Sequence, residues 1–260
     1  MTLEAKKTLE DFYQMYQEDD SEKGINFLIY GGMGTGKTHI LKTTRRPVLI
    51  HSFDPGGTTT LRHELRDKKS GMVADVRFEK EDAKTPTAYK LWEREVKRLK
   101  DSEFFSSLGT YVIDSMTMWS EAMLNYIARG KGHPVPTLPD YQILTITVRD
   151  ELKRLAALPC DVVVTGHLEI SKDDTTGKLF SSVFITPKLK IKVPLIFDEI
   201  YVCQAKATSQ GTERMLLTAP DGNFEARTRL GTASIFEKYE KPDIKYLLKK
   251  AGEDHNDKEF

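Results

Sequence analysis

Ile25-Asn26-Phe27-Leu28-Ile29-Tyr30-Gly31-Gly32-Met33-Gly34-Thr35-Gly36-Lys37-Thr38 decides the reading of this chain. The apolar run from Ile25 to Tyr30 predicts a buried strand, followed by a glycine-rich turn and a segment that can start a helix. The spacing Gly31-x4-Gly36-Lys37-Thr38 fits the phosphate-binding loop, in the strand–loop–helix context that motif requires. Four glycines in six positions let backbone N–H groups turn inward on an anion, and a helix N-terminus adds partial positive charge. Lys37 can then reach the β- and γ-phosphates, and the Thr38 hydroxyl can ligate Mg²⁺. The expected contacts of a nucleoside triphosphate are Gly31, Gly32, Met33, Gly34, Thr35, Gly36, Lys37, Thr38 and His39.

Upstream, residues 3–17 place Ala5, Leu9, Phe12, Tyr13 and Tyr16 at helical spacing, which predicts one amphipathic helix. It either packs on its own core or forms an arm that docks on a neighbouring subunit. Residues 19–24 form a polar linker into the loop strand. Downstream, a brief helix over 38–44 leads to a strand over 47–53, which ends in the turn Asp54-Pro55-Gly56-Gly57. Open α/β sheets place ligand-facing residues at such carboxyl ends, so Asp54 either positions water or magnesium or caps its own turn. A third strand is expected over 72–78, and a helix over 86–100 with Trp92 on its apolar stripe, hence in the core.

Gly109-Thr-Tyr-Val-Ile-Asp114-Ser115 is the second landmark: an apolar strand ending in the aspartate that a phosphate-loop protein needs beside the Thr38 ligand. A helix over 116–128 breaks into a Gly/Pro-rich loop carrying Arg129 and Lys131, and another helix follows over 140–158. Asp161 to His167 is a further buried strand, and His167 at its end either senses the γ-phosphate or is satisfied locally. Residues 169–194 hold five lysines against three acidic residues, with Phe180 and Phe184 between them. A turn at 175–177 makes part of this a hairpin, and Lys172, Lys178, Lys188 and Lys190 with those rings suit single-stranded nucleic acid. The competing reading is a solvated hairpin whose aromatics face the core. Strands over 198–203 and 214–219 follow, then 224–230, where Arg227 and Arg229 share one face if the segment is a strand. They are either arginine fingers for a neighbouring γ-phosphate or surface charge. A last helix over 232–251 and a polar, mostly acidic, disordered tail complete the chain.

Lys+Arg and Asp+Glu are equal at 39 each, so any polyanion site must be a local patch. Cys160 and Cys203 lie in or beside apolar runs, as buried thiols of a reducing compartment do. No apolar run approaches the ~20 residues needed to span a bilayer, and a cytoplasmic setting, the host's if phage-encoded, is expected. Alternating strands and helices predict an α/β fold, a mainly parallel, doubly wound sheet with late antiparallel strands. The divisions expected are 1–23 (helix and linker), 24–231 (core) and 232–260 (helix and tail).

In its ordered set of motifs the chain resembles the RecA-like P-loop ATPases, more closely the phage nucleotide-binding proteins that include single-strand annealing proteins. The set comprises Gly31–Thr38, Asp54-Pro-Gly-Gly57, Tyr111-Val-Ile-Asp114-Ser115, Val163-Val-Thr-Gly-His167 and Glu225-Ala-Arg-Thr-Arg229. The resemblance implies ATP and Mg²⁺ as ligands, with Lys37, Asp54, Asp114, His167, Arg227 and Arg229 as catalytic residues and Thr38 and Asp114 at the metal. It implies DNA-binding loops after residues 128 and 167, and assembly into a homo-oligomeric ring or filament through the N-terminal arm. The implied activity is annealing or recombination on single-stranded DNA, with a single-stranded DNA-binding protein as a further partner and no membrane. Two departures stand out: Gly56 occupies the place of the recombinase glutamate, and His167 that of a glutamine. The alternative is a nucleotide-gated scaffold or accessory to a replication or packaging motor, with little ATPase activity.

Overall fold

A computed structural model describes residues 3–22, 24–172, 177, 179–209, 211–230 and 235–259. Helix α1 (Leu3–Glu22) precedes strand β1 (Asn26–Gly31), and a single 3-10 turn (His39–Thr43) follows the glycine loop. Then come β2 (Val48–Ser52), α2 (Arg62–Arg66), β3 (Met72–Asp75), α3 (Ala88–Asp101), β4 (Thr110–Asp114), α4 (Met116–Gly130) and α5 (Leu138–Leu155). The chain continues through β5 (Asp161–Lys172), β6 (Leu179–Val183), α6 (Pro187–Lys192), β7 (Glu199–Thr208), β8 (Gly211–Leu217), β9 (Tyr239–Glu240) and α7 (Ile244–Ala251).

The described strands form one sheet in the order β3-β2-β4-β5-β1-β7-β8-β9, with β6 paired to β5. From β3 to β7 neighbours run parallel; β8, β9 and β6 are antiparallel additions, as expected. Parallel neighbours need crossovers, and these put helices on both faces. Alternation along β1 sends Leu28 and Tyr30 to one face, where they join Trp92 of α3, Trp119 and Met123 of α4 and Val148 of α5. Phe27 and Ile29 go to the other face, with Ile40, Leu41, Ile244 and Leu248. Trp92 is fully buried and donates from Nε1 to the Tyr111 hydroxyl at 3.0 Å.

The order sets β4, β5 and β1 side by side. The carboxyl ends of β4 and β1, Asp114 and Gly31, therefore emerge at the same rim as His167 within β5.

Five expectations are corrected. First, of the two readings of α1, the one that packs its stripe on its own core is not met: Leu9, Phe12, Tyr13 and Tyr16 are each more than half exposed. Second, β3 stops at Asp75, because Asp75 turns back to hold the Arg77 backbone and guanidinium. Third, residues 224–230 form no strand, only two isolated bridges, Phe224 to Ser181 and Arg227 to Ile200, so Arg227 and Arg229 share no strand face. Fourth, the last helix starts at Ile244, behind the Asp243 cap whose carboxylate accepts from Tyr246 N at 3.0 Å; residues 231–234 lie outside the described residues. Fifth, residues 252–259 lie on the core: Asp254 pairs with Arg45, Asp257 with Lys245, and Lys258 N donates to Arg46 O.

Candidate nucleotide site

The glycine loop leaves β1 and closes over Lys37, which is buried at 8% exposure, and its Nζ donates to the Gly32 carbonyl at 2.9 Å. Gly34 and Gly36 take φ of +72° and +102°, a region open to glycine, which lets the loop turn its amides inward. The Thr38 hydroxyl donates to Asp114 Oδ2 at 2.9 Å, and the Thr165 hydroxyl holds Oδ1 of the same carboxylate. Lys37, Thr38 and Asp114 therefore meet at one rim. A cavity of about 300 Å³ opens there, lined by Gly34, Gly36, Lys37, Thr38, His39 and Arg214 among others. Met33 projects from the loop at 92% exposure.

Burial pushes the Lys37 ammonium below its ordinary pKa, against the pull of Asp114 and Asp54. Burial pushes Asp114 up; the nearby Asp54 charge adds to that, and hydrogen bonds from Thr165 and Thr38 and the Lys37 charge oppose it. A cation and a carboxylate destabilised by the same dry rim are poised to gain from a charged ligand that joins them.

Asp54 lies one step away. Its Oδ2 contacts His167 Nε2 at 2.9 Å, and its Oδ1 accepts from the Ser115 hydroxyl. Burial alone would raise this carboxyl, but the bonds from His167 and Ser115, with the His167 and Lys37 charges, hold it below the usual carboxylate range. The rim thus carries an ionised, oriented carboxylate beside the phosphate loop. Gly56, at φ +70°, donates its N–H to Glu79 Oε2 at 3.0 Å.

The other expected residues are placed elsewhere. Arg227 donates to the Pro194 and Phe197 carbonyls, and Arg229 to Asp198 and the Leu195 carbonyl, at the amino end of β7 and away from the glycine loop. Arg129 donates to the Ala83 carbonyl, Lys131 to Asp140, and Lys190 pairs with Glu169 at 2.8 Å. Lys172 and Lys188 are exposed, while Lys178 lies outside the described residues. On the β5–β6 hairpin, Phe180 and Phe184 are 40% and 51% exposed, so their rings do not face the core.

Two contributors were missed in the sequence. Thr165 sits inside an apolar strand, and its only signal was a hydroxyl at an inward position next to β4. Arg214 lies 178 residues beyond Gly36 in an exposed strand, and no local pattern links it to the loop. Among the described residues no group of three His, Cys, Asp or Glu could hold a metal alone. The Thr38–Asp114 pair instead suits magnesium shared with phosphates, which needs few protein ligands.

Residues 23–230 match the family profile AAA_24, described as an AAA domain. A search of curated proteins finds no match. Similar solved structures include a KaiC-like protein from Pyrococcus horikoshii, at 13% identity and TM-score 0.45, covering 80% of this chain and 84% of that one. Another is the flagellar accessory protein FlaH from Methanocaldococcus jannaschii, at 12% identity and TM-score 0.43, covering 84% of each. A third is a type III secretion ATPase of pathogenic bacteria, at 14% identity and TM-score 0.44, covering 70% of this chain and 52% of that one.

Proposed function

The chain belongs to the AAA_24 family of AAA domains, on a RecA-like P-loop ATPase fold, and from that premise we propose an ATP- and magnesium-dependent protein that binds single-stranded DNA and promotes annealing or recombination as a homo-oligomer. The observation that carries the nucleotide half is the meeting of Lys37, Thr38 and Asp114 at one rim beside an oriented Asp54. Lys37 leaves the Gly32 carbonyl for a phosphate oxygen, and the glycine-loop amides hold the rest of the phosphate chain. Thr38 and Asp114 would hold magnesium, which supplies charge neutralisation on the phosphates when bound. Asp54 accepts a proton from, and aims, the attacking water in place of the absent glutamate, with His167 and Ser115 fixing its orientation.

The DNA half is supported by the β5–β6 hairpin, which starts at His167 and carries exposed Phe180, Phe184 and Lys172, with Lys188 just beyond it. Rings there can stack on bases while the lysines follow phosphates. His167 joins the two halves, since its ring holds Asp54 and its carbonyl accepts from Phe184 N.

Phosphate release, measured with and without a single-stranded oligonucleotide, tests this. Wild type should turn over faster with DNA. Lys37→Ala should lose nucleotide binding, and Asp54→Asn should bind yet hydrolyse about 10²-fold more slowly. Phe184→Ala should weaken oligonucleotide binding by roughly tenfold. Gly56 favours the second reading, a nucleotide-gated scaffold: wild type would then bind ATP but turn over no faster than Asp54→Asn.

A further inference from the structure

We infer that Arg214, from the late antiparallel strand β8, is a cis contact of the nucleotide's phosphate chain, completing a cradle that the glycine loop leaves open on one side. This rests on the reading of the loop as an ATP site. Alternation along β8 places Arg214 on the same face as Leu216, and Leu216 is buried with Ile40 and Leu41 just after the glycine loop. The strand therefore aims Arg214 at the loop's side of the sheet. A Cβ built on Gly36 would lie 3.0 Å from Arg214 Cδ and 3.5 Å from its Nε. The arginine stem thus occupies the space a side chain at position 36 would need, and the residue helps line the loop's cavity. Among the described residues no hydrogen bond or ion pair engages its guanidinium, whereas Arg45, Arg77, Arg98, Arg227 and Arg229 are each held by carboxylates or carbonyls. A planar, permanently charged group with five donors beside a phosphate loop is suited to bind phosphate oxygens.

The residue is a binding group in this role, and equilibrium binding is its readout. Fluorescent (mant) ATP and GTP analogues are titrated with magnesium into wild type, Arg214→Ala, Arg214→Lys and, as a control, Glu213→Ala from the opposite face of β8. Arg214→Ala should weaken both nucleotides by about tenfold or more, with Arg214→Lys between it and wild type. Glu213→Ala should match wild type, and the exposed position should leave the unfolding temperature of Arg214→Ala unchanged. Wild-type binding with Arg214→Ala equally tight overturns this assignment alone. A loss confined to one base overturns the phosphate contact in favour of base recognition. Wild type that binds neither nucleotide overturns the ATP reading itself and this inference with it.

Discussion

His51 is buried on β2, with its Nδ1 hydrogen-bonded to the Tyr111 hydroxyl at 2.8 Å and its ring edge-on to Phe78. Burial pushes its pKa down from 6.5 to about 4, outweighing the nearby carboxylates Asp75 and Glu95. The unfolded chain takes up this proton near pH 6.5, whereas the folded chain resists until about 4. Between those values the unfolded state binds more protons, so acidification removes stability, by up to about 3 kcal/mol across the window. Urea unfolding from pH 7 to 4 should show a shallower fall for His51→Gln than for wild type; equal slopes would contradict the assignment. At this scale the sequence was most legible where chemistry follows a fixed local spacing, as with Lys37 and Thr38. Asp114 could be read because an apolar run pointed to it. Arg214 and Thr165 could not, since their roles depend on strand pairing that brings distant positions together. Two lysines read as DNA contacts, Lys131 and Lys190, are ion-paired at home, and spacing alone does not reveal a partner such as Asp140 or Glu169.

Among elements, α1 presents the clearest unspent surface. Its exposed row of Leu9, Phe12, Tyr13 and Tyr16 favours the arm over the self-packed helix, since apolar side chains gain only when covered. Replacing Phe12 and Tyr16 by Asp should lower the mass seen by light scattering at a given concentration while leaving the unfolding temperature unchanged. An unaltered mass would leave the arm without a role in assembly. The sheet elements show where periodicity stops being informative. Strand β5 overruns the expected end at His167 by five residues, because beyond the rim it pairs with β6 while its own residues are only half-buried or exposed and need no apolar alternation. The late start of α7, by contrast, was written in Pro242-Asp243, a helix-start signal masked by the apolar residues before it.

For the whole molecule, the end of the sheet opposite the glycine loop is closed by charge. Asp161 is 1% exposed, accepts from Ile25 N at 2.9 Å and from Arg45 Nε at 2.7 Å, and so ties β1, β5 and the segment before β2 together. Arg45 also reaches Asp254, which fastens the carboxyl-terminal residues there. Removing Asp161 leaves the half-buried Arg45 guanidinium with only the exposed Asp254 and leaves Ile25 N without its acceptor, so Asp161→Ala should cost roughly 3 kcal/mol in urea unfolding. A loss under about 1 kcal/mol would mean that water replaces the carboxylate. The mainly parallel sheet was legible from alternating strands and helices; this closure was not, because its bonded pairs lie more than a hundred residues apart.

The five-residue 3-10 turn after the glycine loop has a consequence for how anions are attracted. A long α-helix there would offer a standing electric field fixed by the unpaired amides of its first turn. So short a turn sums few peptide dipoles, and the attraction passes to discrete cations, one of them on an exposed strand. Occupancy should therefore respond to ionic strength: raising KCl from about 0.05 to about 0.5 M should loosen mant-ATP several-fold, and Arg214→Ala should flatten that response. The cell's salt would then act as a dial on this protein's nucleotide state.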